Sequence, residues 1–222
     1  MNLLTGDLML LLLDELTGHS LTDSTRTPRV LAGAVLLDLI DAGAIRLTGP
    51  GDAAKPGRIV VSANRSADPI LGDALARIDV AGPMKARAAI EKLSKGLQPK
   101  VLHRLADEGL VRVEHHRVLG VFPRTAWVPS EYREELRDRL TPPFAHPDRA
   151  VEPRAAALIS LLSAADAAPK VFPDRDRREV RQRAKEIAAG DWAAKAAREA
   201  VQAVDAALTA AVVLSAAATG SA

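Results

Sequence analysis

The sequence predicts a mainly α fold: one globular helical domain over residues 1–222, carrying short β-hairpins. Two observations point to helices. Apolar positions recur at helical spacing, and alanine does much of the apolar filling while aromatics make up only 3%, a composition suited to helices packed closely through small side chains. A third observation supplies the hairpins: two stretches abandon helical spacing and read as strand, turn, strand. With 222 residues the chain can bury a sizeable core.

In chain order, residues 3–16, "LLTGDLMLLLLDEL", read as a first helix with Thr5 as N-cap. The run "LMLLLL" is apolar on nearly every face, which predicts a helix at the centre of the core. "TGHSLTDSTRTPR" reads as a loop. "VLAGAVLLDLIDAGAI" resumes a helix that Gly43 ends. "AIRLTG" and "GRIVVSA" form a first hairpin, followed by a short helix over "PILGDALARIDVA". Residues 84–111 are helical with an interruption near Gly96 and Pro99. A second hairpin follows, with its strands apolar at Val111, Val113, Val118 and Val121 and "EHHR" as a charged turn. Ser130 then caps "SEYREELRDRL", and a proline-rich joint precedes helical stretches over 154–165, 174–189 and 192–218.

Composition narrows the function. Thirty basic against 28 acidic residues leave a formal charge of +2, so nucleic-acid binding is not indicated, and only clustered charge could matter. Without cysteine there is no disulfide, iron–sulfur cluster or thiolate zinc site. The longest early apolar run is six residues, far short of the roughly 20 that span a bilayer. No secretory signal is read at the start. These features predict a soluble, cytoplasmic protein.

No motif for catalysis appears: neither a G-x-S-x-G elbow, nor a Walker A loop, nor G-x-G-x-x-G. The five histidines include no i, i+4 pair, and adjacent His115 and His116 point to opposite faces of a strand. No metal, cofactor or catalytic residue is expected. Basic residues cluster more suggestively. Arg26 and Arg29 lie at a helix N-terminus, whose free amides also favour anions. Lys85, Arg87, Lys92, Lys95, Lys100, His103 and Arg104 crowd the region after residue 84, opposed before Asp107 only by Glu91. A pocket built from Arg26, Arg29, Lys95, Lys100 and Arg104 would suit a phosphate or an anionic lipid head group; a solvated helical face is the plain alternative.

One internal echo concerns the hairpins. "LLDLIDAGAIRLTG…GRIVVSA" and "VLHRLADEGLVRVEHHRVLGVF" both run helix, glycine, strand, hairpin, strand. That is the order of a winged-helix unit, which keeps a nucleic-acid or protein-interaction module as the alternative reading. A DNA reader needs a basic helix ahead of its wing, and "VLHRLADEGL" offers only His103 and Arg104 there.

Taken together, "LTGDLMLLLLDELTG", "LAGAVLLDLIDAGAIRL", "LADEGLV" with its hairpin, "HPDRAVEPRAAALISLLSAADA" and "EVRQRAKEI" resemble the Golgi phosphoprotein 3 family, in family order over roughly residues 3–215. The resemblance implies a mostly helical domain and, from eukaryotic members, a non-enzymatic peripheral membrane protein. Those members recognise phosphatidylinositol 4-phosphate through a basic pocket and bind cytoplasmic tails of membrane enzymes for sorting. It also implies a hairpin used for oligomerisation or membrane contact, here Val111, Val113, His115, His116, Val118 and Val121. At the family's pocket positions, a tryptophan and three arginines, this chain has Asp23, Ala32, Lys95 and Gln98. Only Lys95 keeps the charge, and Arg26, Arg29, Lys100 and Arg104 are the residues that could replace the rest. The expectation is thus an anionic membrane lipid as partner, with protein clients, self-association through the hairpin and no nucleic acid.

Overall fold

The computed structural model describes residues 3–62, 66–118, 122–190 and 206, with the side chains of 116–118 and 122–124 outside the description. Its first helix, α1 (Leu4–Leu11), is short and central. Leu8, Met9, Leu10, Leu11, Leu12 and Leu13 are at most 1% exposed, and α1 is packed by α2 (Arg26–Asp41), α5 (Leu97–Asp107), α6 (Tyr132–Leu140) and α8 (Pro153–Ala164). A helix apolar all round belongs where neighbours cover every face.

Two local expectations about α1 are corrected. Thr5 is inside the helix, not its cap: its hydroxyl and the Leu4 and Thr5 amides donate to the Asp38 carboxylate on α2, at 2.6, 2.8 and 3.0 Å. The helix start is thus capped from across the core. It stops at Leu11 instead of residue 16 because Asp14 gathers the Leu16 and Thr17 amides into a turn, at 3.2 and 2.8 Å.

Helix α2 begins at Arg26, four residues earlier than the sequence reading, since Asp23 accepts from the Thr25 and Arg26 amides and Pro28 fits a first turn. Gly43, at φ +65°, ends it. Strands β1 (Ile45–Leu47) and β2 (Ile59–Val61) pair antiparallel with Ile45 opposite Val61. Helix α3 (Pro69–Ala81) is capped by Asp68, which accepts from the Ile70 and Leu71 amides. The long basic region divides into α4 (Ala86–Ser94) and α5 at Gly96, whose φ of +70° suits glycine. Pro99 does not interrupt anything: it lies in the first turn of α5, where no intrahelical amide bond is lost.

Strands β3 (Val111–Val118) and β4 (Phe122–Pro129) are longer than expected, and the turn is elsewhere. Glu114, His115, His116 and Arg117 are strand residues opposite Ala126, Thr125, Arg124 and Pro123. The pairing continues to Val118 and Phe122, so "EHHR" is strand and not the turn. The hairpin base packs on the body: the Trp127 amide donates to the Gly18 carbonyl at 3.0 Å, and a Cβ on Gly18 would come within 2.6 Å of that nitrogen.

Ser130 is not the cap of α6, whose N-cap is Glu131; the Ser130 amide donates to the Leu110 carbonyl instead. The proline-rich joint holds one helical turn, α7 (Pro142–Ala145), whose Phe144 ring lies 4.7 Å from Phe172. Helices α8, α9 (Ala168–Val171) and α10 (Arg177–Ala189) complete the described body. One hydrophobic core runs through it, from Leu4 to Ile187. The helix expected over 192–218 lies outside the described residues apart from residue 206. Among the described residues the fold is a single, mainly helical domain with two small antiparallel sheets, the fold class the sequence predicts.

Candidate functional site

The five expected head-group residues fall into two places. Arg26 and Arg29 sit on the first turn of α2, where the positive end of a 16-residue helix gathers. Asp23 already occupies that end, accepting from the Thr25 and Arg26 amides at 2.8 Å each and lying 3.2 Å from the Arg26 Nε. Three residues on, Arg29 grips Glu91 of α4 with two nitrogens, at 2.8 and 3.3 Å. Lys95, four positions beyond Glu91, is the exposed residue that follows the last turn of α4. Its carbonyl accepts from Arg77 at 3.3 Å, while its ammonium has no ion pair among the described residues. Of the four pocket positions the resemblance implied, Asp23 belongs to this corner and Lys95 follows the end of α4. Ala32 is fully buried on the inner face of α2, and Gln98 follows in the first turn of α5.

Lys100 and Arg104 lie along the seam between α5 and α3. The Lys100 Nζ is 2.9 Å from Asp73, which Arg77 also reaches at 3.1 Å. The Lys100 hydrogen bond is the main reason the Asp73 carboxyl is held below its ordinary value. Arg104 bridges Asp68 and Glu108, the latter at 2.7 Å. Because Asp68 also caps α3, Arg104 braces the start of that helix. The cavity beside Arg104 is only about 10 Å³, room for a single water at most. Both cations of α5 are therefore neutralised in place, and His103 is turned to the Trp127 ring at 5.2 Å. A recognition helix in the winged-helix sense would need free cations that α5 does not present.

Helix α4 is the opposite case. Ala86, Ala89, Ile90 and Leu93 form its buried stripe. Lys85, Arg87, Lys92 and Lys95 are exposed, without an ion pair among the described residues. Glu91, the lone acid between positions 85 and 95, is taken by Arg29 from the neighbouring helix. The sequence counted these cations together with those of α5; which are paired depends on Asp68, Asp73 and Glu91, of which Asp73 sits on α3 and Asp68 caps it.

A second feature had no signal in the sequence. Between α1, α6 and α8 runs a groove of about 580 Å³ lined by Asp7, Tyr132, Arg139 and Arg154 over Leu136, Leu140 and Leu158. Asp7 is 2% exposed. It accepts from Arg154 at 2.6 Å and from the Tyr132 hydroxyl at 3.3 Å, and burial pushes its carboxyl up against those partners. Residues 125 and 147 positions apart meet here, a juxtaposition no local pattern announces.

Among the hairpin residues, Val111 is 4% exposed and belongs to the protein's own core, while Val113 is 38% exposed opposite Trp127. His115 is exposed, its Nδ1 3.4 Å from the Thr125 hydroxyl. His116 and Val118 are placed by backbone register alone, and Val121 lies outside the described residues. Among the described residues, no group of three His, Asp or Glu side chains could hold a metal ion, and no helix is long and apolar enough to cross a membrane.

The family model for Golgi phosphoprotein 3 matches residues 4–204. The chain belongs to the Golgi phosphoprotein 3 family. No curated protein matches it at a significant level. The corner of Asp23, Arg26, Arg29 and Glu91 ties the start of α2 to α4 through the Arg29–Glu91 pair.

Proposed function

We propose that the protein is a non-enzymatic, peripheral membrane protein that binds an anionic phospholipid head group, phosphatidylinositol 4-phosphate by family membership, on the cytoplasmic side of a membrane. Arg26, Arg29 and Lys95 form the contact set. Lys100 and Arg104 remain in the proposal only as charge that a phosphate would have to win from Asp73, Asp68 and Glu108. The observation that carries the reading is the Arg29 fork on Glu91, with Asp23 at the α2 amides. Two carboxylates sit where phosphate oxygens would be held by the same donors, since guanidinium forks and helix-end amides suit both. A head group displaces or joins these internal anions, which lowers its affinity and makes binding depend on a membrane that concentrates the ligand. Adaptor activity toward protein clients, and self-association through Val113 and the outer part of the hairpin, complete the proposal.

Sedimentation with phosphatidylcholine vesicles, with and without phosphatidylinositol 4-phosphate, tests it. Binding should require the phosphoinositide and weaken as salt rises. Arg29→Gln removes a charge-assisted contact of about 1.5–3 kcal/mol, a loss of tenfold or more in affinity. Equal binding to plain phosphatidylcholine vesicles, or binding insensitive to Arg29 and Lys95 substitution, would refute the reading.

A further inference from the structure

The cations of α4 outnumber what one head group can use. Lys95 stands at the C-terminal end of α4, four positions after Glu91; Lys85 and Arg87 lie at the far end of the nine-residue helix, with Lys92 between. At 1.5 Å per residue, the span from Lys85 to Lys95 is about 15 Å, several lipid head groups wide. All are exposed, and no carboxylate among the described residues is within ion-pair distance of any of them. The cations of α5 and α6, by contrast, are each held by an Asp or Glu. Helix α10 also leaves Arg177, Arg178 and Lys185 exposed without an ion pair among the described residues, but there Glu179 and Glu186 share the exposed surface, whereas the one acid of α4 is taken by Arg29. Cations without counter-ions on one short helix repel one another, and gain from a surface that supplies the missing negative charge. The corner leading into α4 adds apolar surface: Val80 is 89% exposed at the end of α3, and Pro83 is exposed after the Gly82 turn. Asp79, exposed beside Val80, subtracts one charge from this end.

We infer that the solvent face of α4 lies against an anionic bilayer as an extended electrostatic contact, distinct from the head-group corner, with Lys85, Arg87 and Lys92 over ordinary anionic lipids and Val80 at the interface. It rests on the reading that the protein works at a membrane. The partner it fits is a flat sheet of negative charge, not one ligand, because the cations enclose no cavity and spread over the exposed side of the helix, Lys85 and Lys92 on one flank and Arg87 on the other. The contact orients the protein with α4 down, which presents the corner of Arg29 and Lys95 to the same membrane.

The test is partition of the full chain onto phosphatidylcholine vesicles containing phosphatidylserine and no phosphoinositide. Each cation near such a surface is worth about fivefold in partition. Lys85→Gln, Arg87→Gln and Lys92→Gln combined should weaken partition about a hundredfold and flatten its salt dependence. Binding of soluble inositol 1,4-bisphosphate, followed by calorimetry, should be unchanged by that triple variant and reduced by Arg29→Gln. Val80→Asp should weaken partition further, and Val80→Leu should strengthen it. Phosphatidylserine partition that survives the triple substitution overturns the inference, as does duplex DNA binding that the triple substitution abolishes while vesicles are not bound at all. Failure of the soluble head group to bind, with partition still sensitive to α4, overturns the head-group corner and leaves this contact standing.

Discussion

Helices α4 and α5 are consecutive, amphipathic and basic, and they do different work. Each buries an apolar stripe, Ala86, Ala89, Ile90 and Leu93 in one and Leu97, Val101, Leu102 and Leu105 in the other. The cations of α5 face α3 and its own last turn, so Lys100 meets Asp73 and Arg104 meets Asp68 and Glu108. Those of α4 face solvent, and the one acid among them is drawn off by Arg29. Charge that is matched inside the molecule contributes to its stability; charge left unmatched is available to a partner. The difference lies in what the neighbouring helix offers, not in the helices' own composition.

The sharpest way to break this contrast is to remove the acid that holds α5. Asp68→Ala deletes the cap of α3 and the brace of Arg104 together. We expect a loss of about 2–4 kcal/mol from the cap and the charged hydrogen bond, seen as a melting temperature roughly 5–10 °C lower. Arg104→Gln keeps the cap and removes only the brace. It should cost about 1–2 kcal/mol by denaturant titration, and a larger effect on vesicle binding than on stability would show that Arg104 had been assigned to the wrong helix role.

The Lys100 pair gives a pH signature. Asp73 has its carboxyl lowered in the folded state, chiefly by Lys100. Its contribution is therefore complete above the ordinary carboxylate value and is lost as pH falls through the lowered one. With both side chains more than two-fifths exposed, the pair is worth less than about 1 kcal/mol. The stability gap between wild type and Lys100→Gln, measured by urea unfolding at several pH values, should be constant near neutrality and close as the pH drops below about 4. A gap that widens on acidification would reverse the assignment. The smallest effects belong to α4: Lys85→Gln, Arg87→Gln and Lys92→Gln should each change stability by no more than about 0.5 kcal/mol, with any shift at low salt being a gain.

Much of the fold could be read locally. "LMLLLL" announced a buried central helix, Gly43 and Gly96 announced helix ends, and the two hairpins were visible as breaks in helical spacing. What could not be read depended on contacts made at a distance. Thr5 looks like a cap until Asp38, 33 residues away, takes the amides it would have served. "EHHR" looks like a turn because its residues are polar, but the antiparallel register carries the strands past it to Val118 and Phe122. For the site, the basic cluster was legible and its division was not. Lys95 and Lys100 stand five positions apart with similar surroundings in sequence; only the placement of α3 and α2 decides that Asp73 reaches Lys100 while no acid among the described residues reaches Lys95. The groove at Asp7 is the limiting case, built from three helices that share no local pattern.

The most direct test of the account compares two variants on one pair of readouts: melting temperature and partition onto vesicles containing phosphatidylserine. One carries Lys85→Gln, Arg87→Gln and Lys92→Gln; the other carries Lys100→Gln and Arg104→Gln. The account predicts that the α4 variant melts as the wild type does and loses about a hundredfold in partition, while the α5 variant melts several degrees lower and, where folded, partitions within a few-fold of wild type. Equal loss of partition in both variants with both melting temperatures unchanged would contradict it.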